Sequence, residues 1–402
     1  MNSINFGQGV HETPFFPEDQ ETNLLNVCLT IKAELIASGT QGNDGLPQPS
    51  LTNEIHPLFK LSRWVTGPNQ DTERIYNRLK PALRLASLLL TNPKAISSYW
   101  PRLLYGHHVH FSGYDCTRDY LEPSSRETSP STPSAVSDTF LKMSKNVSFL
   151  FMFANPARPD LSRVFGITCP GRDISDSHTL VPFAKPFKWP RVQRHREHPT
   201  IGLHHSFYDF FAYQYLKAST SLRYRQLFVL AQTLVHEVAH AFSMFVHPER
   251  GELAVEPWYC REFMQDVTQR QELGWTWERY MFGGALIPIN NNVEDMGPLA
   301  YSLHHRVPGQ GQRVLVNGAE ARFLGAYPGA HGAPRRMSMS FVTMEWVAGW
   351  FTAEGWREWE GSGVMLRAMG GHLVLVLDQT PEQTLVYVAE VFTGPGEEVW
   401  IG

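Results

Sequence analysis

The stretch that most limits what this chain can fold into is LAQTLVHEVAHAF, residues 230 to 242, where His236, Glu237 and His240 interrupt an otherwise apolar run. From 207 to 246 there is neither proline nor glycine, and His247-Pro248 follows, so the segment predicts one or two helices stopped by that proline. Residues four apart share a helix face about 6 Å apart along the axis, so both imidazoles can address one metal ion. An apolar helix otherwise has little reason to bury two histidines and a glutamate, which cost free energy unless paired. The spacing therefore predicts a zinc site, with Zn2+ held by His236 and His240. Glu237, beside the first ligand, is placed to take a proton from an attacking water as general base.

The third ligand decides the class. The pattern that continues with glycine three residues after the second histidine and histidine three further on is excluded, because Ser243 and Val246 stand there. His247 would lie about 10 Å along the axis from His240, too far to share an ion. A glutamate from a downstream helix remains, and QRQELGWTWERYMFGG offers Glu272 and Glu278. Six residues on a helix turn it by about 240°, so both cannot face one metal. Glu272 is the favoured ligand, with Glu278 as the alternative or as a carboxylate backing a ligand histidine; Glu256, beside a proline, is a weaker candidate. Trp275, Trp277, Tyr280 and Phe282 are expected to pack rather than touch substrate. Tyr280, His304, His305 and Arg306 are possible oxyanion donors, and none is singled out.

Composition narrows the partners. With 35 basic and 39 acidic residues the formal charge is −4, which gives no electrostatic footprint for nucleic acid or an anionic membrane. The 402 residues, 42% hydrophobic, are ample for a large core. The start, MNSINFGQGVHETPFFPEDQ, lacks a basic, then apolar, export signal, and no continuous apolar run nears about 18 residues, so a cytoplasmic protein is expected. Cys28, Cys116, Cys169 and Cys260 are scattered without CxxC spacing, which suggests neither a disulfide framework nor a thiolate metal site.

Along the chain, 1–121 is expected to be mostly helical, with a helix over TERIYNRLKPALRLASLLLTN interrupted or reset at Pro81. Residues 122–138, EPSSRETSPSTPSAVSD, read as a flexible linker or surface loop, and 139–402 as the catalytic domain. Within that domain NVSFLFMFA predicts a buried strand, 171–206 an irregular excursion, 260–282 a second helix, and HLVLVLD with TLVYVAEV a hairpin. The expected fold class is α+β, mainly helical, with a zincin-like catalytic core whose HExxH helix packs on a small mixed sheet.

LVHEVAHAF, ELGWTWERYMFGG and MSFVTMEWVAGWF together resemble a group of fungal proteins with a zincin-like signature, over residues 225 to 350. The resemblance implies a gluzincin-type metal site at His236, His240 and a glutamate of the ELGWTWE segment, and a hydrolytic or proteolytic role. Many gluzincins carry an acidic or asparagine residue four after that glutamate; here the position is Thr276. The leading expectation is thus a zinc metallopeptidase acting on a peptide. The alternative is the same scaffold tailoring a small molecule or binding zinc without catalysis.

Overall fold

Helix Thr72–Thr91 shows how this chain spends its apolar residues, because it runs unbroken through Pro81. A proline inside a helix removes one hydrogen bond and costs about 3 kcal/mol or more. Ile75, Leu79, Leu83, Leu85, Leu89 and Leu90 are all fully buried, on both sides of the proline. At roughly 1.5–3 kcal/mol per buried aliphatic side chain, that burial outweighs the local penalty. The expected break at Pro81 is therefore corrected: tertiary packing decides, not local propensity.

The structure is a computed structural model that describes residues 28–29, 31–42, 45–66, 70–112, 117–152, 165–169, 198–248, 256–259, 272–282, 285–288, 297–302, 313–316, 319–322, 335–362, 370–379 and 384–391. In chain order their helices are α1 (Lys32–Ala37), α2 (Thr72–Thr91), α3 (Trp100–Tyr105), α4 (Thr132–Met143) and α5 (His205–Asp209). There follow α6 (Thr220–Val246), α7 (Leu273–Phe282), α8 (Met344–Gly349) and α9 (Ala353–Ser362). The strands of the first half are β1 (His107–Ser112), β2 (Thr117–Glu122), β3 (Ser148–Phe151), β4 (Gly166–Cys169) and β5 (Thr200–Leu203). Those of the second half are β6 (Ala285–Pro288), β7 (Leu299–Ser302), β8 (Arg313–Val316), β9 (Ala319–Arg322), β10 (Arg335–Val342), β11 (Gly370–Gln379) and β12 (Thr384–Val391). The described residues are mainly helical, with a small mixed sheet among their strands.

The chain divides into two compact units. The first comprises Met1–Pro14, Leu51–Leu216 and Leu230–Tyr280, and the second Phe15–Ser50, Lys217–Val229 and Met281–Gly402. In the first unit the mixed sheet has the order β3-β5-β4, β3 parallel and β4 antiparallel to the fully buried β5. β3 is the expected buried strand, SFLF, and Trp64 bridges its other side. Trp100, Phe140 and Phe242 meet at ring-centroid distances of 5.0–5.4 Å, tying α3 and α4 to the motif half of α6.

Residues 122–138 are not a linker. Ser124 and Glu127 form a reciprocal capping box around a short turn, Ser125–Thr128, and α4 starts at Thr132 with Pro133 in its first turn. The Ser/Thr/Pro content that suggested disorder is helix-start chemistry, and Val136, Phe140 and Met143 supply the buried face. Of the stretch expected to be irregular, 200–203 is instead a buried strand and α5 begins at His205, while 171–197 lies outside the described residues.

In the second unit the expected hairpin is present as β11 and β12, paired antiparallel from Leu373 with Glu390 to Gln379 with Thr384. It is the centre of a larger antiparallel sheet of order β6-β7-β10-β11-β12-β8-β9, which the sequence reading did not anticipate. Trp350 packs against Trp346, Trp356, Trp359 and Phe282 in the same unit.

Among the described residues α6 alone has the length and mean hydropathy of a bilayer-crossing helix, yet most of its apolar stretch is buried inside the protein, as in a core helix.

Candidate metal centre

α6 puts Gln232, His236 and His240 on one face, one turn apart, and all three are buried. Opposite them stands Glu272. It is not inside the second helix but immediately before α7, and the Thr276 amide donates to its carbonyl, as at a helix start. Its carboxylate accepts from the amides of Gly274 at 3.0 Å and Trp275 at 2.5 Å. These amides are otherwise unpartnered within a helix, and they carry the positive end of its dipole, which favours an ionised carboxylate there.

The same carboxylate faces both histidines. Glu272 Oε1 lies 3.3 Å from His236 Nε2, and Oε2 lies 2.7 Å from His240 Nε2. His236, His240 and Glu272 thus form a buried group whose ligand atoms lie within 4.8 Å of one another, an arrangement that can hold a metal ion. Each ring is fixed from behind: His236 Nδ1 is 2.7 Å from Glu278 Oε1, and His240 Nδ1 is 2.7 Å from Glu256 Oε1. A carboxylate on the far nitrogen sets the tautomer, turning Nε2 with its lone pair toward a metal.

Glu278 sits in α7, and Gln232 also donates to it. Glu256 arrives on a different segment, which is stitched to β2: the Leu121 amide donates to the Trp258 carbonyl at 2.9 Å, and the Trp258 amide to the Asp119 carbonyl at 2.8 Å. The carboxylates that back the histidines therefore come from Glu278 and Glu256, whereas Thr276 donates its hydroxyl to the Glu272 carbonyl at 2.9 Å.

Glu237 packs against β4. The Thr168 hydroxyl lies 2.7 Å from Glu237 Oε2 and 3.0 Å from the Glu237 carbonyl, so this edge strand both orients the carboxylate and docks on the helix. Gly166 lets the strand come this close, since a Cβ there would sit 2.6 Å from Glu237 Cγ. Gly274 does the same for the ligand, since its Cβ would fall 2.2 Å from His236 Cδ2.

The electrostatics follow from burial. Burial raises the Glu237 carboxyl above its usual range, an effect moderated by His240, His236 and the Thr168 hydroxyl. Glu278 is raised for the same reason, against His236 and Gln232. Burial opposes charge on His236, yet Glu272, Glu278 and Glu237 overcome it and lift its pKa to about 9. His240 is likewise lifted well above its ordinary value by Glu256 and Glu272, despite burial. Protons or a dication must balance so many buried carboxylates.

Of the remaining sequence candidates, Trp277 and Phe282 are fully buried, and Trp275 packs edge-on against His236 at 5.2 Å. The Tyr280 hydroxyl donates to the Lys94 carbonyl at 3.0 Å, and His304, His305 and Arg306 lie outside the described residues. His247 is apart from the centre, its Nε2 3.3 Å from the Leu103 carbonyl and its ring edge-on to His108. The sequence reading did not find Thr168, Gly166 or Gly274, and gave Glu256 no role behind a histidine; only the glycine beside Glu272 carried a local signal. Cys169, next to Thr168, is free, its thiol pushed up to about 12 by burial and by Glu237.

Compared with protein-family profiles, with curated proteins and with solved structures, the chain matches none.

Proposed function

We propose that this protein is a zinc-dependent hydrolase with a zincin-like core, most simply a metallopeptidase, in which His236, His240 and Glu272 hold the metal and Glu237 is the general base. The observation that carries the reading is the orientation of the two imidazoles: each turns Nε2 toward Glu272 and leans Nδ1 on a carboxylate of its own. That is the arrangement metal-binding histidines require, and ordinary core histidines have no need of it.

The donor set fits zinc, which takes imidazole nitrogen and carboxylate oxygen at about 2.0–2.2 Å in a tetrahedral array. Two donors on such an ion are separated by about 3.3 Å; His236 Nε2 and Glu272 Oε1 stand 3.3 Å apart, whereas His240 Nε2 and Glu272 Oε2 are at 2.7 Å, a hydrogen-bond distance that would have to open for the ion. A zinc ion bound there would act as a Lewis acid toward a carbonyl and toward water. Glu237, raised by burial and held by Thr168, is suited to accept a proton from an attacking water and return it to a leaving amine. Gly274 and Trp275 keep Glu272 aligned through their amides, so the ligand needs little rearrangement.

A peptide is favoured over a compact small molecule by β4. Among the described residues β4 pairs on one side only, with β5, and three of its four residues are partly exposed while Thr168 touches the base. An extended chain can add to such an edge through main-chain hydrogen bonds. The test is Glu237→Gln on protein loaded with zinc and offered a peptide library. Cleavage should fall by about 10²–10⁴-fold while zinc stays bound at one ion per chain. Full turnover in the variant would remove Glu237 as base, and a wild-type protein that takes up no zinc would remove the whole reading.

A further inference from the structure

Three tyrosines link one short segment to the metal centre, Tyr99 from within it and Tyr259 and Tyr280 from outside, and each leads to a different carboxylate of that centre. The segment is the π-helical turn Ala95–Tyr99, together with Lys94 before it. Such turns carry an extra residue per turn and recur at functional sites. Tyr99 is fully buried, and its hydroxyl donates to the Leu273 carbonyl at 2.6 Å, the residue next to Glu272. Tyr280 lies two residues after Glu278, donates to the Lys94 carbonyl at 3.0 Å, and also meets the Ser98 hydroxyl. Tyr259 lies three residues after Glu256. Its ring stacks on Tyr99 at 4.9 Å and 4°, and its hydroxyl stands 3.3 Å and 3.4 Å from the Tyr99 and Ser98 carbonyls.

We propose that the turn Lys94–Tyr99 is a positioning frame for the metal centre, with Tyr99 fixing the ligand Glu272, Tyr280 fixing Glu278 behind His236, and Tyr259 fixing Glu256 behind His240. None of the three tyrosines is a ligand or a catalytic residue. They act through the backbone next to each carboxylate. The physical need is plain: Glu256 arrives on a different segment from Glu272 and Glu278, and like charges buried together repel unless something holds their backbones in place. One turn that sends out Tyr99 and receives Tyr259 and Tyr280 supplies a common reference. Tyr99 is also the residue on which Tyr259 stacks and which Tyr280 approaches at 5.8 Å between rings, so the tethers brace one another.

The frame rests on the metal-site reading above, and the experiment separates the two. Cobalt is titrated into wild type, Tyr99→Phe, Tyr280→Phe and Tyr259→Phe, with Tyr76→Phe as control; Tyr76 also donates to a backbone carbonyl, that of Phe59 at 3.0 Å, but belongs to no tether. Each variant keeps its ring and loses only a hydroxyl. Tyr99→Phe should weaken cobalt binding about 10–100-fold, the range found when an outer partner of a ligand is lost, and should shift the visible cobalt spectrum. Tyr280→Phe should do so less, and Tyr259→Phe least, since its ring stack remains. Tyr76→Phe should lower the melting temperature while leaving affinity and spectrum as in wild type. Wild-type binding and spectra in both Tyr99→Phe and Tyr280→Phe would overturn the frame alone, as would an equal loss in Tyr76→Phe. Failure of the wild type to bind cobalt would overturn the metal site and the frame with it. If Tyr99→Phe does not fold, the half-exposed Tyr280 decides the question.

Discussion

Two helices of the first unit begin on an acidic side chain, and their surroundings make them different devices. At α2 the Asp71 carboxylate accepts from the Arg74 amide at 2.9 Å and lies 3.8 Å from the Arg74 guanidinium, with both side chains more than half exposed. At α7 the Glu272 carboxylate accepts from two amides, is only 4% exposed, and confronts two imidazoles. The backbone chemistry is the same. In water it satisfies a helix end and little more; out of water the same amides hold a negative charge in register for a cation. Asp71 thus serves the helix, whereas at Glu272 the helix serves the carboxylate.

Removing the two caps is the most direct way to break that contrast. Glu272→Ala should weaken zinc binding by more than about 100-fold, beyond the range for outer partners, as read by competition with a chromophoric chelator. An unchanged affinity would reduce Glu272 to an ordinary cap. Acid should act on the same side of the comparison. His236 has its pKa raised to about 9 and His240 is raised too, so both hold protons that zinc must displace. Apparent affinity should then fall as pH falls below about 9, by roughly ten-fold per pH unit for each proton released. A flat profile between pH 6 and 9 would mean that the imidazoles are not balanced by protons. Glu278→Gln, which keeps the shape but not the charge behind His236, should weaken zinc by about 10–100-fold. Asp71→Ala should leave zinc untouched and lower stability by only about 1 kcal/mol, seen as a melting point a few degrees lower; an effect on zinc would show that the two caps are not independent.

The contrast also explains what was legible in the sequence. His236, Glu237 and His240 could be read because a single helix period puts them in place. Glu272 could be favoured over Glu278 but not placed as a helix cap, because glutamate is not among the favoured caps and the segment reads as continuous helix. Glu256 could be named only as a weaker ligand and not placed behind His240: what positions it is the pairing of Trp258 with β2, a contact between segments more than a hundred residues apart. Thr168 and Gly166 belong to a strand of four residues, too short to announce itself by alternation. Residues 122–138 misled for the opposite reason, since serine, threonine and proline are as characteristic of helix starts as of loops, and the deciding reciprocal bonds of Ser124 and Glu127 need three dimensions. Of the seven strands in the second unit's sheet, the sequence showed β11 and β12 by their apolar runs and not the other five.

Gly166 and Gly274 add a lesson about what a site is made of. One stands against the base and the other against a ligand, and neither brings an atom that reacts, binds or carries charge. Their contribution is vacant volume of about one methyl group, reserved at the two places where strand and helix must crowd the working side chains. A search for function by reactive residue types passes over such positions, yet they bound the room in which the chemistry has to fit. The centre is therefore defined by exclusion as much as by its donors, and its specification in the chain includes two places where a side chain is forbidden.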